Sequence, residues 1–348
     1  MERTERGPIV SVVIPVRNEA VHIEQLLTAL TAQTYPRQAT EILIVDGRSE
    51  DNTRVIVERF SDNLKDSNIK ILVNPKQQRA PGLNIGVECA KGEVIMRVDG
   101  RTIVPRDYVE KCIRTLSETD ADNVGGMQKP IVFKNGDPRK ELNQRAIGIA
   151  LSQPFGIGNA QFRIGTKSGY VDTVYLGCFR REVFDKVGLF DEDTCVISED
   201  ADMNYRIRKA GGKVYFNKDI VAYYYPRDNI RDLARLYFRY GGAKAGNLLK
   251  TKNLTAWRQW IPPLFLTTIV VLSLLSVFFM VAGFLLRIVL GIYAFTDLFV
   301  SACIALKEKE LRLFYRLFVI FPTLHFSWAL GFFRRLLQRP KPHEYWDY

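Results

Sequence analysis

An α/β domain built on a mostly parallel sheet, followed by C-terminal membrane helices, is the fold class that this 348-residue chain predicts. Three observations predict it. Strand and helix patterns alternate through the first hundred residues, the mark of a sheet covered by helices. From Ile261 to Leu286 no residue is charged, and that run exceeds the roughly 20 residues needed to cross a bilayer core as a helix. The composition, 47% hydrophobic and 25% charged, is that of a folded chain rather than a disordered one.

The elements follow in order. Ile9–Ile14 is a β-branched apolar run closed by Pro15 and reads as a buried strand. His22 to Ala32 carries Ile23, Leu26, Leu27 and Leu30 at helical spacing. Glu41–Val45 is a second strand, ending at Asp46-Gly47, and Asp51 is placed to cap a helix reaching to about Phe60. Ile69–Val73 is a third strand. Pro81 to Ala90 reads as a helix, and Gly92-Glu93 turns into a fourth strand, Val94–Val98, ending at Asp99. Sheets of this kind bind ligands at the carboxyl ends of their strands. The polar segments there, Pro15–Glu19, Asp46–Asp51 and Asp99–Arg101, are the first suspects.

Charge and rare residues narrow the function classes. A net charge of +11 points to an anionic partner, nucleic acid or anionic lipid. The apolar C-terminal runs favour the membrane, and a nucleic-acid partner is not expected. The cysteines Cys89, Cys112, Cys178, Cys195 and Cys303 form no CxxC or metal spacing, which fits a reducing compartment. His22, His325 and His343 are scattered, against a His-rich metal site or a Ser-His-Asp enzyme.

After Arg287, Ile288–Leu306 carries Asp297 as its one charge, and the charged stretch 307–312 follows. A third run, Leu313–Phe333, holds Arg316 and His325; it either spans or lies in the interface. The N-terminus lacks the layout of a signal peptide. Lys244, Lys250, Lys252 and Arg258 flank the first span, so residues 1–260 and the 307–312 stretch are expected on the cytoplasmic side. The expectation is a multi-pass protein of the cell membrane with two or three crossings. The basic tail (Arg334, Arg335, Arg339, Lys341) lies outside if the third run spans and inside otherwise. Four regions result: a soluble domain over 1–228, a basic amphipathic region over 229–260, membrane or re-entrant helices over 261–333, and a basic, aromatic tail over 334–348. In the second region Arg231, Arg235 and Arg239 share a helical face suited to a membrane surface.

Four segments carry a family resemblance: SVVIPVRNEA (11–20), EILIVDGRSEDNT (41–53), RAPGLNIGVECAKGEVIMRVDG (79–100) and SEDADMNYRIRKAGGKV (198–214). In order and spacing they resemble family 2 glycosyltransferases of the GT-A fold, a Rossmann-like mixed sheet that binds nucleotide-diphospho-sugars. The apolar tail and the RYGGAKAG stretch make the chain most similar to membrane-bound glycosyltransferases of succinoglycan-type exopolysaccharide synthesis.

The resemblance implies roles. Asp46 would accept hydrogen bonds from the uracil of a nucleotide sugar, with Gly47 where the family has a second acid. Glu19, Pro15 and Arg17 would line the base pocket, and Arg79 would face the diphosphate. Asp99 would be the first acid of a DxD-type motif holding Mg2+ or Mn2+. The motif here reads Asp99-Gly100-Arg101, which leaves three readings. Asp99 alone holds the cation, Arg101 partly replaces it, or Arg101 turns away to pair with a surface acid. Asp200 would be the general base, with Glu199 and Asp202 orienting acceptor or base. The bland alternative is that Ser198, Glu199 and Asp200 only cap a helix. Tyr175, Gly177 and Arg180 lie in the acceptor-facing segment. Arg239 falls where processive relatives carry QxxRW, a partial match, and would contact a donor diphosphate or a lipid-linked pyrophosphate.

The implied activity is inverting transfer of a sugar from a nucleotide donor, a UDP-sugar, to a hydroxyl of a polyprenyl-diphosphate-linked saccharide. Two rivals stand beside it. One is a polyprenyl-phosphate glycosyltransferase, whose phosphate acceptor needs no strong base. The other is an inactive scaffold in a polysaccharide assembly complex, suggested by Arg101.

Overall fold

The computed structural model describes residues 9–64, 68–134, 136–192, 198–251 and 257–338, with the side chains at 250, 251, 257 and 338 left aside. Cys195, Lys252, Arg339, Lys341 and His343, and the side chain of Lys250, lie outside the described residues. The chain forms two compact units, Met1–Lys129 with Gln161–Tyr224, and Pro130–Ala160 with Tyr225–Tyr348.

The first unit is built on one mixed sheet. Strands β1 (Val10–Val16), β2 (Thr40–Asp46), β3 (Ile69–Val73) and β4 (Val94–Arg97) are followed by β5 (Thr102–Ile103), β6 (Asn123–Pro130), β7 (Gly169–Tyr170), β8 (Tyr175–Arg180) and β9 (Val214–Tyr224). Their order is β3-β2-β1-β4-β8-β6-β9-β5, with β7 beside β9. The first four strands pair in parallel, as their alternation with helices predicts. From β8 onward the pairing is antiparallel.

The helices of the chain begin with α1 (Ile23–Thr31), α2 (Thr53–Asp62), α3 (Arg79–Cys89), α4 (Tyr108–Glu118), α5 (Pro138–Ala150), α6 (Pro154–Ile157), α7 (Gln161–Ile164), α8 (Glu182–Val187) and α9 (Glu199–Lys209). Helix α3 starts two residues before Pro81, because proline is tolerated in a first turn whose amides lack partners. The pleat sorts β1 onto two cores. Val10, Val12, Ile14 and Val16 pack with Ile23, Leu26, Leu27 and Leu30 of α1. Val13 packs on the other face with Leu83 of α3 and Met203 of α9. At the amino end of the sheet, buried Glu41 accepts from the Ser11 hydroxyl (2.6 Å) and the Lys91 amide (2.5 Å), tying β1, β2 and the turn before β4.

The second unit adds α10 (Ile230–Thr251), α11 (Ile261–Leu275), α12 (Met280–Lys307) and α13 (Arg312–Gln338) to α5 and α6. The segment Pro130–Ala160 falls inside the region read from sequence as one soluble domain, yet it clusters here. The reason is the apolar side of α5: Ala146, Ile147, Ala150 and Leu151 share a core with Leu313, Leu317 and Phe321 of α13. Arg145 of α5 also pairs with Glu308 (2.8 Å). Three helical stretches, Arg258–Leu275, Met280–Lys307 and Arg312–Leu337, are long and apolar enough to cross a membrane. The break between the first two falls at 276–279, not at Arg287 as the charge pattern suggests.

Candidate active site

The loops after β1 and β2 are laced together. The Asp46 carboxylate accepts from the Ser49 amide (3.1 Å) and hydroxyl (2.6 Å), closing the turn after β2. The Ser49 hydroxyl oxygen takes the Asn18 amide (3.0 Å), and Asn18 Oδ1 takes the Glu50 amide (2.8 Å). Thr53 Oγ1 accepts from the Glu19 amide (2.8 Å) and Asp51 from the Ala20 amide (3.1 Å). Asp51 therefore fastens the β1 loop as well as the start of α2. Arg17, in the same loop, reaches Glu50 at 4.0 Å. Asn18 and Arg48 sit at φ of 54° and 55°, a left-handed conformation that costs energy for a side chain such as arginine. A Cβ on Gly47 would stand 3.2 Å from the Gln77 carbonyl oxygen and 3.3 Å from that of Val16. A side chain at this position would therefore be crowded against two backbone carbonyls.

The centre of the site is a residue to which sequence reasoning gave no role. Arg97, the last residue of β4, is buried and grips Asp99 with a fork: Nε to Oδ1 at 2.8 Å and Nη2 to Oδ2 at 3.2 Å. The same Nη2 reaches Glu199 Oε1 at 2.8 Å, and Arg79 Nη1 approaches that oxygen at 3.5 Å. Glu199 is 1% exposed. Burial pushes the Asp99 acid up, but the charges of Arg97 and Arg79 outweigh it and hold Asp99 below the usual carboxylate range. Against its own burial, Arg97 is kept firmly protonated by Asp99, Glu199 and Asp200. Arg97 Nη1 and Glu199 Oε2 are buried without a hydrogen-bond partner among the described residues. The signal for Arg97 was present: one charge inside an apolar strand has to be paired.

Arg101 does not point at Asp99. Its Nε donates to both oxygens of Glu19, at 2.8 and 3.0 Å. Arg101 therefore pairs with an acid instead of facing Asp99, and the acid is Glu19, expected in the base pocket. His22 lies near this pair; burial, then the Arg101 charge, lower its pKa to about 4.

Helix α9 brings the other carboxylates. Ser198 precedes it at φ 74° and makes no side-chain cap hydrogen bond. Ser198 therefore does not cap α9 through its side chain. Glu199 and Asp200 occupy the first turn, where the helix dipole favours negative charge. Asp200 is half-buried and accepts from the Ala201 amide at 2.8 Å. Asp202 is committed elsewhere. It accepts from Arg206 Nε (2.8 Å), whose other nitrogens donate to the carbonyls of Val187 and Leu189. It therefore anchors α9 to the loop after α8.

The acceptor-facing candidates divide. Tyr175 opens β8, shares a hydrogen bond with Thr102 Oγ1 (3.2 Å) and stacks on Phe162. Burial and then the charge of Asp99 push its phenol up. Gly177 is structural: φ is 112°, and a Cβ would meet the Phe179 ring at 2.5 Å. Arg180 pairs with Val94 at the start of β4 and donates to the carbonyls of Leu116 and Ala121. It sits at the opposite end of the sheet from Asp99, where it caps α4, and does not face the site. Pro15 lies within β1, and Arg239 is on α10 in the other unit.

Among the described residues no three His, Cys, Asp or Glu side chains cluster as a metal cage. The donor set is the single carboxylate of Asp99, each oxygen of which makes one bond to Arg97 and keeps a lone pair. That fits a hard dication which takes one or two protein carboxylates and fills its shell with water and phosphate oxygens.

Known proteins resemble the chain over most of its length. The family model described as "Glycosyl transferase family 2" matches residues 11–188. The succinoglycan biosynthesis protein ExoA of Rhizobium meliloti is 30% identical over 332 residues, with 94% of each chain covered. The glycosyltransferase AglE of Haloferax volcanii is 31% identical over 68% of this chain and 73% of its own. A Methanococcus voltae dolichyl N-acetyl-alpha-D-glucosaminyl phosphate 3-beta-D-2,3-diacetamido-2,3-dideoxy-beta-D-glucuronosyltransferase is 23% identical, covering 94% and 97% of the two chains. Among solved structures, the mannosyltransferase PcManGT of Pyrobaculum calidifontis, in complex with GDP-Man and Mn2+, shares the fold, with a TM-score of 0.63 at 19% identity over 97% of this chain and 89% of its own. The chain belongs to glycosyl transferase family 2 and is a glycosyltransferase of the GT-A fold.

Proposed function

We propose that this enzyme moves a sugar, with inversion, from a nucleotide donor, a UDP-sugar, to a hydroxyl of a polyprenyl-diphosphate-linked saccharide in exopolysaccharide or glycan assembly. One observation carries the reading: Arg97 ties Asp99, at the end of β4, to Glu199, the neighbour of Asp200, at the start of α9. Donor-side carboxylate and candidate base are thereby held on one buried frame.

Asp46 and the laced β1–β2 loops receive the base and ribose. Arg79 and Asp99 face the diphosphate. A Mg2+ or Mn2+ ion held by Asp99 would offset charge on the leaving diphosphate. Asp200 accepts the proton of the acceptor hydroxyl as its oxygen bonds to C1 of the sugar. The bond from C1 to the diphosphate oxygen breaks, and the nucleoside diphosphate leaves with the electron pair. Arg97 is a positioning residue: it is buried and acts through Asp99 and Glu199. Glu199 orients the base through Arg97, and Tyr175 borders the acceptor.

A lipid-borne acceptor agrees with the three apolar helices and with the dolichyl phosphate-linked sugar in the name of the Methanococcus voltae relative. The succinoglycan relative supports polysaccharide synthesis. The enzyme is held at the cell membrane with its catalytic unit on the cytoplasmic side.

The test is a transfer assay on detergent-purified protein, with a panel of nucleotide sugars and lipid extracts as acceptor, with and without Mn2+. Turnover that needs the cation and is lost in Asp200→Asn supports the proposal. Nucleotide binding with no transfer to any lipid-linked saccharide overturns the acceptor. Absence of binding by every nucleotide sugar overturns the donor site assigned to Asp46, Arg79 and Asp99.

A further inference from the structure

A buried amide in the catalytic unit has no part in the function proposed above. Gln128 lies late in β6 and is 7% exposed. Its Oε1 is buried without a hydrogen-bond partner among the described residues. A buried polar group left open is costly and calls for an explanation.

Strand directions place Gln128 at the site. Strand β8 runs antiparallel to β4, with Cys178 beside Met96. Strand β6 runs antiparallel to β8, with Gly126 beside Tyr175. Strand β6 therefore points the same way as β4, and its end lies with Asp99 at the carboxyl ends of the parallel strands, where such sheets bind ligands. Tyr175, the first residue of β8, falls at the same end. Its hydroxyl shares a hydrogen bond with Thr102 Oγ1 (3.2 Å), and the Thr102 amide donates to the Asp99 carbonyl (2.9 Å). The Gln128 amide is within hydrogen-bonding reach of the same phenol, which also feels the charge of Asp99.

The order of strands says which part of the substrate arrives there. It runs β2-β1-β4-β8-β6 across the site. With the nucleoside at Asp46 over β2 and the diphosphate at Asp99 over β4, β6 lies beyond the diphosphate on the side away from the nucleoside. Two strand spacings separate β4 from β6, about 10 Å. That leaves room for the transferred sugar next to the diphosphate and brings the acceptor to Gln128.

The surroundings suit a sugar hydroxyl. The rings of Tyr175 and Phe162 are stacked with centroids 6.4 Å apart, and both are half-buried. An apolar wall with a few placed polar groups is how such sites fix a small ligand. A hydroxyl donates to an amide oxygen and still accepts from a neighbour. An ionised diphosphate has no proton to offer, so the lipid-linked end of the acceptor is not the partner.

We propose that Gln128 is an acceptor-binding residue: its open amide oxygen accepts a hydrogen bond from a hydroxyl of the acceptor sugar, which lies against Tyr175 and Phe162. The assignment rests on the transfer to a saccharide hydroxyl proposed above.

The experiment uses the full chain in detergent, with the nucleotide sugar that the unaltered chain turns over and a lipid extract in dilution series as acceptor. Gln128→Met keeps the length of the side chain and removes the amide. It is expected to raise the apparent KM for the extract about tenfold, the scale of one hydrogen bond. The KM for the nucleotide sugar and the rate of acceptor-free donor hydrolysis are expected to stay unchanged. In a Tyr175→Phe background, which keeps the ring, Gln128→Met is expected to raise the extract KM further. If Gln128→Met fails to fold, Gln128→Asn, which withdraws the amide by one methylene, makes the same test. An unchanged extract KM overturns the proposal and leaves the amide a structural group. A raised KM for the nucleotide sugar means that the hydroxyl belongs to the transferred sugar, and overturns it likewise. No further rise in the Tyr175→Phe background means that Gln128 acts only by holding the phenol, with the same consequence. Failure of the unaltered chain to transfer to any extract is a failure of the function proposed above; it shows before any variant is made, and this assignment falls with it.

Discussion

Arg97 shows how much of this site depends on one side chain. Its fork matches two oxygens of Asp99 while one nitrogen also reaches Glu199. A lysine keeps the charge but is a single point donor on a flexible stem. Arg97→Lys is therefore expected to lower kcat by about 100-fold, the scale of a 1 Å misplacement of reacting groups. Nucleotide affinity is expected to change little; steady-state kinetics with calorimetric titration of nucleoside diphosphate measure both. A loss of binding equal to the loss of kcat would mean that Arg97 serves the donor alone. Asp200→Asn removes the proton acceptor and is expected to cost about 10²–10⁴ in kcat, the usual contribution of a positioned base, with the melting temperature unchanged. The places of Asp99 and Asp200, after a strand end and at a helix start, were legible in the sequence because each closes a local pattern. Arg97 was not assigned, because its meaning lies in Glu199, a partner distant in the chain that no local spacing encodes. Arg180 was misjudged for a related reason. Its strand runs antiparallel to β4, so a residue late in β8 falls at the far end of the sheet.

At the scale of elements, the laced loops and the start of α1 set a pH dependence. His22, the residue before α1, has a folded pKa lowered to about 4 by burial and by Arg101. The unfolded chain, with its histidine near 6.5, binds the proton that the folded chain refuses, so stability rises with pH where the unfolded state holds more protons. Stability from this group is therefore full above pH 6.5 and is lost as pH falls from 6.5 to about 4. His22→Gln is expected to flatten the fall in melting temperature across that window; an unchanged slope would assign it to other groups. Helix contacts give a second prediction. A Cβ on Gly241 of α10 would overlap the Trp328 carbonyl oxygen, and one on Gly331 of α13 would overlap that of Phe238. Gly241→Ala and Gly331→Ala are each expected to destabilise by about 1–3 kcal/mol, the usual cost of overpacking, read from thermal unfolding in detergent. Strands β1–β4 were legible because apolar runs ended at glycine, proline or aspartate. The break at 276–279 was not, since a charge-free segment has no amphipathic period and the first charge after it, Arg287, marks another place. The late strands were not legible: β5 and β7 are two residues long, and β6, β8 and β9 join the sheet by antiparallel pairing rather than by the strand–helix alternation of a parallel sheet.

For the whole molecule, charge and apolar surface are rival explanations of membrane attachment, and they respond differently to salt. A net charge of +11 attracts anionic lipid, and the basic side chains of α10 strengthen that attraction at a membrane surface. At 1 M salt the screening length is about 3 Å, and attraction between exposed charges is largely gone. Burial of apolar surface is not weakened in this way and is, if anything, favoured by salting-out ions. The exposed apolar side chains of α11, α12 and the turn between them, among them Val277, Phe278, Phe279, Met280 and Phe284, offer a broad contact of this second kind. The chain is therefore expected to stay in the membrane pellet through washes of 1 M sodium sulfate or chloride and to leave it only in detergent. Phe278→Lys puts a charge where the acyl chains would lie and is expected to shift part of the protein to the salt-washed supernatant. Release of the unaltered chain by salt alone would mean that the basic face does the holding and that the apolar helices are covered by protein instead.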